Sequence, residues 1–240
     1  MKLASRITLN LRSRELARLK TDYGVHDGKN RDALLAFLKD PERMEGIDID
    51  EAAGGLRAPP IFVAARMGDY ELFSLLRSLG SRADILYRGI SLYDTICGWP
   101  RKLAFFEYLE ESGQDFAKET KWGTLPILPL VTALVLEEIK KSKNEKNEHA
   151  ALLEIYAFLR RKGADLDEGG SGKISPLMIA ACANSLEVVT MLKTDGADPK
   201  KRRFVAEIGR EVDCLEYYRH KTGLGEIEEN GEMLEALAAG

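Results

Sequence analysis

The sequence predicts an all-α solenoid, a stack of helix–turn–helix units with one unit lengthened by an insertion. Three observations point there. The segment "PPIFVAARMGDYELFSLLRSLG" from Pro59 to Gly80 returns as "SPLMIAACANSLEVVTMLKTDGAD" from Ser175 to Asp198. Acidic exits recur at Asp48, Asp84, Asp115, Asp165 and Asp198, close to the period of about 33 residues of a helical repeat except between Asp115 and Asp165. That long interval holds a charge-dense run, Lys140 to Glu148, too polar to form core.

The elements follow in chain order. Arg14 to Lys20 and Asn30 to Leu38 have the pattern of two capping helices, so residues 1–50 precede the repeats. The array occupies residues 51–200. Its first clear unit opens at Pro60, suited to a first helical turn, and carries Ala64 and Ala65, whose small side chains let another helix approach. Gly68 stands where that helix must stop in a left-handed conformation, and "DYELFSLLRSL" follows with apolar residues at helical spacing. The unit from Ser175 repeats this with Pro176, Ala180, Ala181 and Asn184 in the matching places. Between them, "ISLYDTICGWPRKLAFFEYLEESGQD" is a degenerate unit that starts at Ser91 to Asp94 and offers Leu103, Phe106 and Leu109 as the buried face of its second helix. The next is the extended unit, a helix pair with an inserted loop at about 140–148; the alternative for that loop is a dedicated contact segment. Residues 201–240 close the chain. There "RRFVAEIGREVDCLEYYRHKTG" reads as a shortened helix pair facing inward through Val205, Ile208, Val212, Leu215 and Tyr218, and the acidic tail from Gly225 is left open between a short helix and a mobile end.

These residues resemble ankyrin repeats. The family pattern runs Thr-Pro-Leu-His, two alanines, a glycine, a Leu/Val-rich second helix and Gly-Ala-Asp leading into a hairpin finger. Ser175 to Pro199 matches it with few departures, and the unit at Pro59 nearly as well, with two extra residues in "GSRAD". The resemblance implies an ankyrin-repeat solenoid with hairpin fingers that binds another protein through the concave surface of fingers and inner helices. On that surface the candidate contact residues are Tyr87, Arg88, Lys121, Trp122 and Lys173 in fingers, Arg66 and Met67 at the end of a first helix, and Trp99 in the degenerate unit. Tyrosine, tryptophan and arginine are enriched at binding hot spots. The competing reading of Trp122 is a cover over the extended unit.

Other chemistry finds little support. "GGSGK" suggests a phosphate-binding loop, but that loop needs glycine where Asp167 stands and a hydroxyl where Ile174 stands. In the repeat register it is the finger between two units. His26, His149 and His220 are scattered, and adjacent carboxylates such as Glu137 and Glu138 do not share one helix face. Cys97, Cys182 and Cys214 form no CxxC pair and are read as small core residues in a reducing compartment. The N-terminus lacks a signal-peptide apolar run, and Leu125 to Leu136 is too short to span a bilayer. A net charge of -4 gives no general attraction to nucleic acid, although Lys200 to Arg203 is a local basic run. The expectation is a non-catalytic cytoplasmic module, an adaptor, inhibitor or neutralising partner, without cofactor, metal or membrane. The alternative is a bacterial effector, or an enzyme or nucleic-acid-binding protein, built on a modified array.

Overall fold

The computed structural model describes residues 2–25, 29–50, 58–142, 148–171 and 174–239. Among them the chain forms thirteen α-helices and one two-stranded antiparallel sheet. It divides into two compact units, Met1–Ile96 and Cys97–Gly240.

In the first unit, α1 (Lys2–Val25), α2 (Arg31–Leu38) and α3 (Pro41–Met44) precede the pair α4 (Pro60–Met67) and α5 (Tyr70–Ser78). The helix expected at Arg14 to Lys20 is the middle of the much longer α1, which packs on α2 and α4 through buried Leu16, Leu19 and Tyr23. Pro60 opens α4, Ala64 and Ala65 are buried, and Gly68 ends the helix at φ 71°. Asp69 then caps α5 by accepting from the Leu72 N–H at 3.1 Å. The same carboxylate takes the Tyr23 hydroxyl at 2.9 Å and both Nε and Nη2 of Arg31 at 2.5 and 2.9 Å, which ties α1 and α2 to the α4–α5 turn. Burial pushes the Asp69 carboxyl upward, but the hydrogen bonds from Arg31, Leu72 and Tyr23 outweigh it and hold it below the usual carboxylate range.

The division falls within α6 (Leu92–Gly98), and the second unit continues with α7 (Leu103–Glu111). Its buried face is Phe105, Phe106 and Leu109, with Leu103 only half-buried. Then come α8 (Ile127–Ser142) and α9 (His149–Arg161), the pair that flanks the insertion, and α10 (Pro176–Cys182) with α11 (Leu186–Thr194). α10 packs against α8 on one side and, on the other, against α12 (Cys214–Gly223), while α7 packs on α9. α8, α10 and α12 thus stack in series, with Ala180 and Ala181 fully buried on α10. Phe106, Phe116 and Phe158 fill the space between α7, the following finger and α9, with Phe116 edge-on to Phe158 at 5.4 Å. Residues 143–147 of the insertion lie outside the described part. Its base is fixed, because the buried Glu137 accepts from the Glu148 N–H at 2.6 Å and from Lys140.

The exits share one cap. After α5, α7, α9 and α11, a left-handed glycine (Gly80, Gly113, Gly163, Gly196) donates to the carbonyl three residues back, and the next N–H reaches the carbonyl five back. This is the Schellman arrangement. Asp48, Asp115, Asp165 and Asp198 follow two residues behind such glycines, and each carboxylate accepts the N–H two residues on. At Gly80 the residue in that place is Arg82, so Asp84 is displaced from the register in which the sequence pattern put it. Successive exits are also linked: Asp50 accepts from Ser81 Oγ and the Arg82 N–H, and Asp167 accepts from the Asp198 N–H at 2.8 Å.

The C-terminal segment differs from the expected helix pair. Arg203–Val205 (β1) and Arg210–Val212 (β2) form an antiparallel hairpin, with Gly209 left-handed at φ 72° where a helix would have continued. Val205 and Val212 are buried as expected, on strands rather than on a helix. The helix starts only at Cys214, after Asp213, which forms a reciprocal capping box with Glu216. The acidic tail supplies its partner, α13 (Gly231–Ala238), which buries Met233 and Leu237 against α11 and α12. The buried Tyr218 hydroxyl fastens this end by donating to Asn184 and accepting from the Asn230 N–H.

Candidate protein-binding surface

In the first unit, Tyr87 and Ile90 exchange both backbone hydrogen bonds at 2.9 Å across a two-residue loop. Arg88 and Gly89 have φ of 52° and 72°, the double positive φ of a type I′ hairpin turn. Arginine tolerates this less well than glycine or asparagine, so the tip holds Arg88 in an unusual place. Tyr87 rests against Phe62 of α4 with ring centroids 5.9 Å apart, and the Arg88 guanidinium lies 5.4 Å over the Tyr87 ring. Arg66 is exposed and Met67 half-buried at the end of α4, the helix that also carries Phe62.

In the second unit, Trp99 sits in the α6–α7 turn and Trp122 at the tip of the finger between α7 and α8, where the Thr120 and Gly123 N–H groups close the turn. The two rings meet edge to face at 5.6 Å, and Lys121 Nζ lies 5.6 Å from the Trp122 ring. Trp122 covers Gly98, where even a Cβ would come within 2.8 Å of the indole. Each indole nevertheless keeps 38% of its surface in water. The predicted set is therefore split: Trp99, Lys121 and Trp122 form one cluster, Tyr87 and Arg88 a second, and Arg66 and Met67 lie near the latter on α4. Lys173 lies outside the described residues.

Beside Trp99 a groove of about 480 Å³ runs between residues 98–101, the outward face of α8 and the start of α9. Leu136 and Ile139 are 53% and 41% exposed there. They are absent from the predicted set, although their spacing of three behind the buried Leu134 and Val135 marks a second apolar face on α8. Phe204, 59% exposed on β1, is an exposed aromatic that is also absent from the predicted set.

The glycine-rich stretch has its use in packing. Gly169 accepts the Leu125 N–H at 3.0 Å, and Gly170 presses its backbone against Gly123 and Thr124 of the preceding finger. Glu119 accepts from both the N–H and the hydroxyl of Ser171. The basic run faces carboxylates: Lys201 lies 3.7 Å from Asp167, Arg202 2.8 Å from Glu216 and Arg203 2.7 Å from Glu168. These pairs weaken the field that a nucleic-acid site would need. Burial pushes the Cys182 thiol up to about 12 and raises Cys214 as well, so neither supplies a thiolate near neutral pH. Among the described residues no three His, Cys, Asp or Glu side chains gather as a metal site, and no helix is long and apolar enough to cross a membrane.

Paired helices closed by Schellman exits recur along the described residues, a helical-repeat character. Residues 173–203, which hold α10, α11 and the exit after them, match the Ankyrin repeat family model, so the chain carries an ankyrin repeat there. The ankyrin repeat is a general protein-interaction module. No curated protein matches the chain.

Proposed function

We propose that this protein is a non-catalytic interaction module of the cytoplasm, an adaptor, inhibitor or neutralising partner, that binds one protein through its finger tips and inner helices. The observation that carries this reading is the Trp99–Trp122 pair, two large aromatics packed edge to face, one in the α6–α7 turn and the other at a finger tip, each residue 38% exposed. Burying such rings on a partner gains a large contact area with little loss of rotamer freedom. Tyr87 and Arg88 supply a second contact of the same kind.

The test is affinity capture with the full chain and with the Tyr87→Ala/Trp122→Ala variant. Truncating a hot-spot aromatic costs about 2 kcal/mol or more, so the variant retains the partner roughly thirtyfold less well. Circular dichroism checks that the variant is folded. A folded variant that holds the partner undiminished removes these residues from the interface.

A further inference from the structure

We infer that a cleft among the fingers of the second unit receives a basic side chain, lysine or arginine, of the partner protein; this rests on the protein-binding reading above and names the partner's chemistry. The cleft has a volume of about 420 Å³ and lies between the finger that joins α7 to α8, the finger that joins α9 to α10, and β1. Two local features shape it. Gly170, without a side chain, lets the two fingers meet backbone to backbone, and Gly209 turns the following segment back as a hairpin instead of a helix. Alternation along β1 then buries Val205 and leaves Phe204 59% exposed on the wall of the cleft. Ala117 and Leu125 add an apolar surface beside it.

The charges on the lining give the sign of the guest. Glu119 is exposed, and its Oε1 accepts from both the N–H and the hydroxyl of Ser171 at 2.5 Å. Those bonds fix the carboxylate, while its Oε2 has no donor among the described residues. The one cation on the lining, Arg203, is committed elsewhere: its Nη2 donates to Glu168 at 2.7 Å, and its Nη1, though without a hydrogen-bond partner, is buried out of a guest's reach. The lining therefore carries one carboxylate more than its own cation balances. An ammonium or guanidinium group donates to Glu119 Oε2 and lies over the Phe204 face, with its methylene stem along Ala117 and Leu125. A phosphate or carboxylate would meet Glu119 with no uncommitted cation to receive it, and an apolar side chain would strip water from Glu119 without replacing its hydrogen bonds.

The probe is a displayed library of random short peptides, panned on the full chain, from which peptides that still bind Glu119→Gln are removed. Glutamine keeps an acceptor for Ser171 and loses only the charge. The retained peptides are expected to share a lysine or arginine, and its replacement by alanine weakens binding to the unaltered chain about tenfold. Their affinity falls as salt rises, and falls roughly threefold on Phe204→Leu, which keeps the bulk and loses the ring. Glu119→Lys reverses the preference, so that peptides with glutamate in place of the shared base bind it better than their parents do. Every variant is checked for unchanged thermal unfolding. Retained peptides without a shared base, no retained peptides, indifference to Phe204→Leu, or a Glu119→Lys variant that prefers the same peptides overturn the assignment. The broader reading is judged apart: a captured partner that stays undiminished on Glu119→Gln refutes the cleft and leaves the interaction module standing, whereas no partner on the unaltered chain refutes the module.

Discussion

Replacing Gly170 with alanine lowers the stability of the second unit by about 3 kcal/mol or more. Two costs combine. Gly170 has φ 113°, which an L side chain rarely adopts, and its added Cβ would run into the Gly123 carbonyl oxygen and stand 2.8 Å from Thr124 Cα. Both obstacles are backbone, so no side chain can swing aside. Gly80 isolates the first cost: its φ is 95° but nothing lies within 4 Å of an added Cβ, and Gly80→Ala costs only about 1–2 kcal/mol. Denaturant midpoints measure the difference. Hydrogen exchange places it, since the Leu125 N–H donates to Gly169 and loses protection first if the two fingers part. Equal losses at the two positions would show that the fingers do not press together as described.

Asp69→Ala frees the N-terminal helices of the first unit from the α4–α5 turn. The change strips Tyr23, Arg31 and the Leu72 N–H of one common acceptor. Breaking a buried pair by removing one partner costs about 3–5 kcal/mol; Arg31 keeps 33% of its side chain in water, which discounts the loss to about 2–3 kcal/mol. The pH dependence has a definite sign. The folded carboxyl titrates below its unfolded value, so its contribution is complete above an unfolded pKa of about 4 and disappears as the pH falls through the folded value. The gap between wild type and variant therefore narrows on acidification, as urea midpoints across that range would record. A gap that widens instead would assign the stability to some other group.

What could be read from the residues was whatever the repeat states twice. Proline starts, the alanine pairs and the Gly68 and Asn184 stops stand where the alignment of the two best units put them. Asp84 misled because an acidic residue is common in turns, while the left-handed glycine is what the cap requires; the glycines keep register through Gly80. Val205, Ile208 and Val212 have helical spacing, yet strands with buried valines produce the same list, and the capping box at Asp213 and Glu216 was the better local signal. Trp99 and Trp122 both have the residue type of contact positions, but their edge-to-face pairing depends on a finger folding over Gly98, 24 residues away in the chain from Trp122, which no local pattern encodes. The groove was invisible for a related reason. Leu136 and Ile139 look like ordinary helix residues until α8 outruns the turn beside it.

The central claim is that the tryptophan finger tip is where another protein binds. A photo-crosslinking phenylalanine analogue in place of Trp122 tests it most directly, with the same analogue at the exposed Glu154 of α9 as control. Irradiation in extract should give one discrete adduct from position 122 and none of that mass from position 154. No adduct at 122, or the same adduct from both positions, would contradict it.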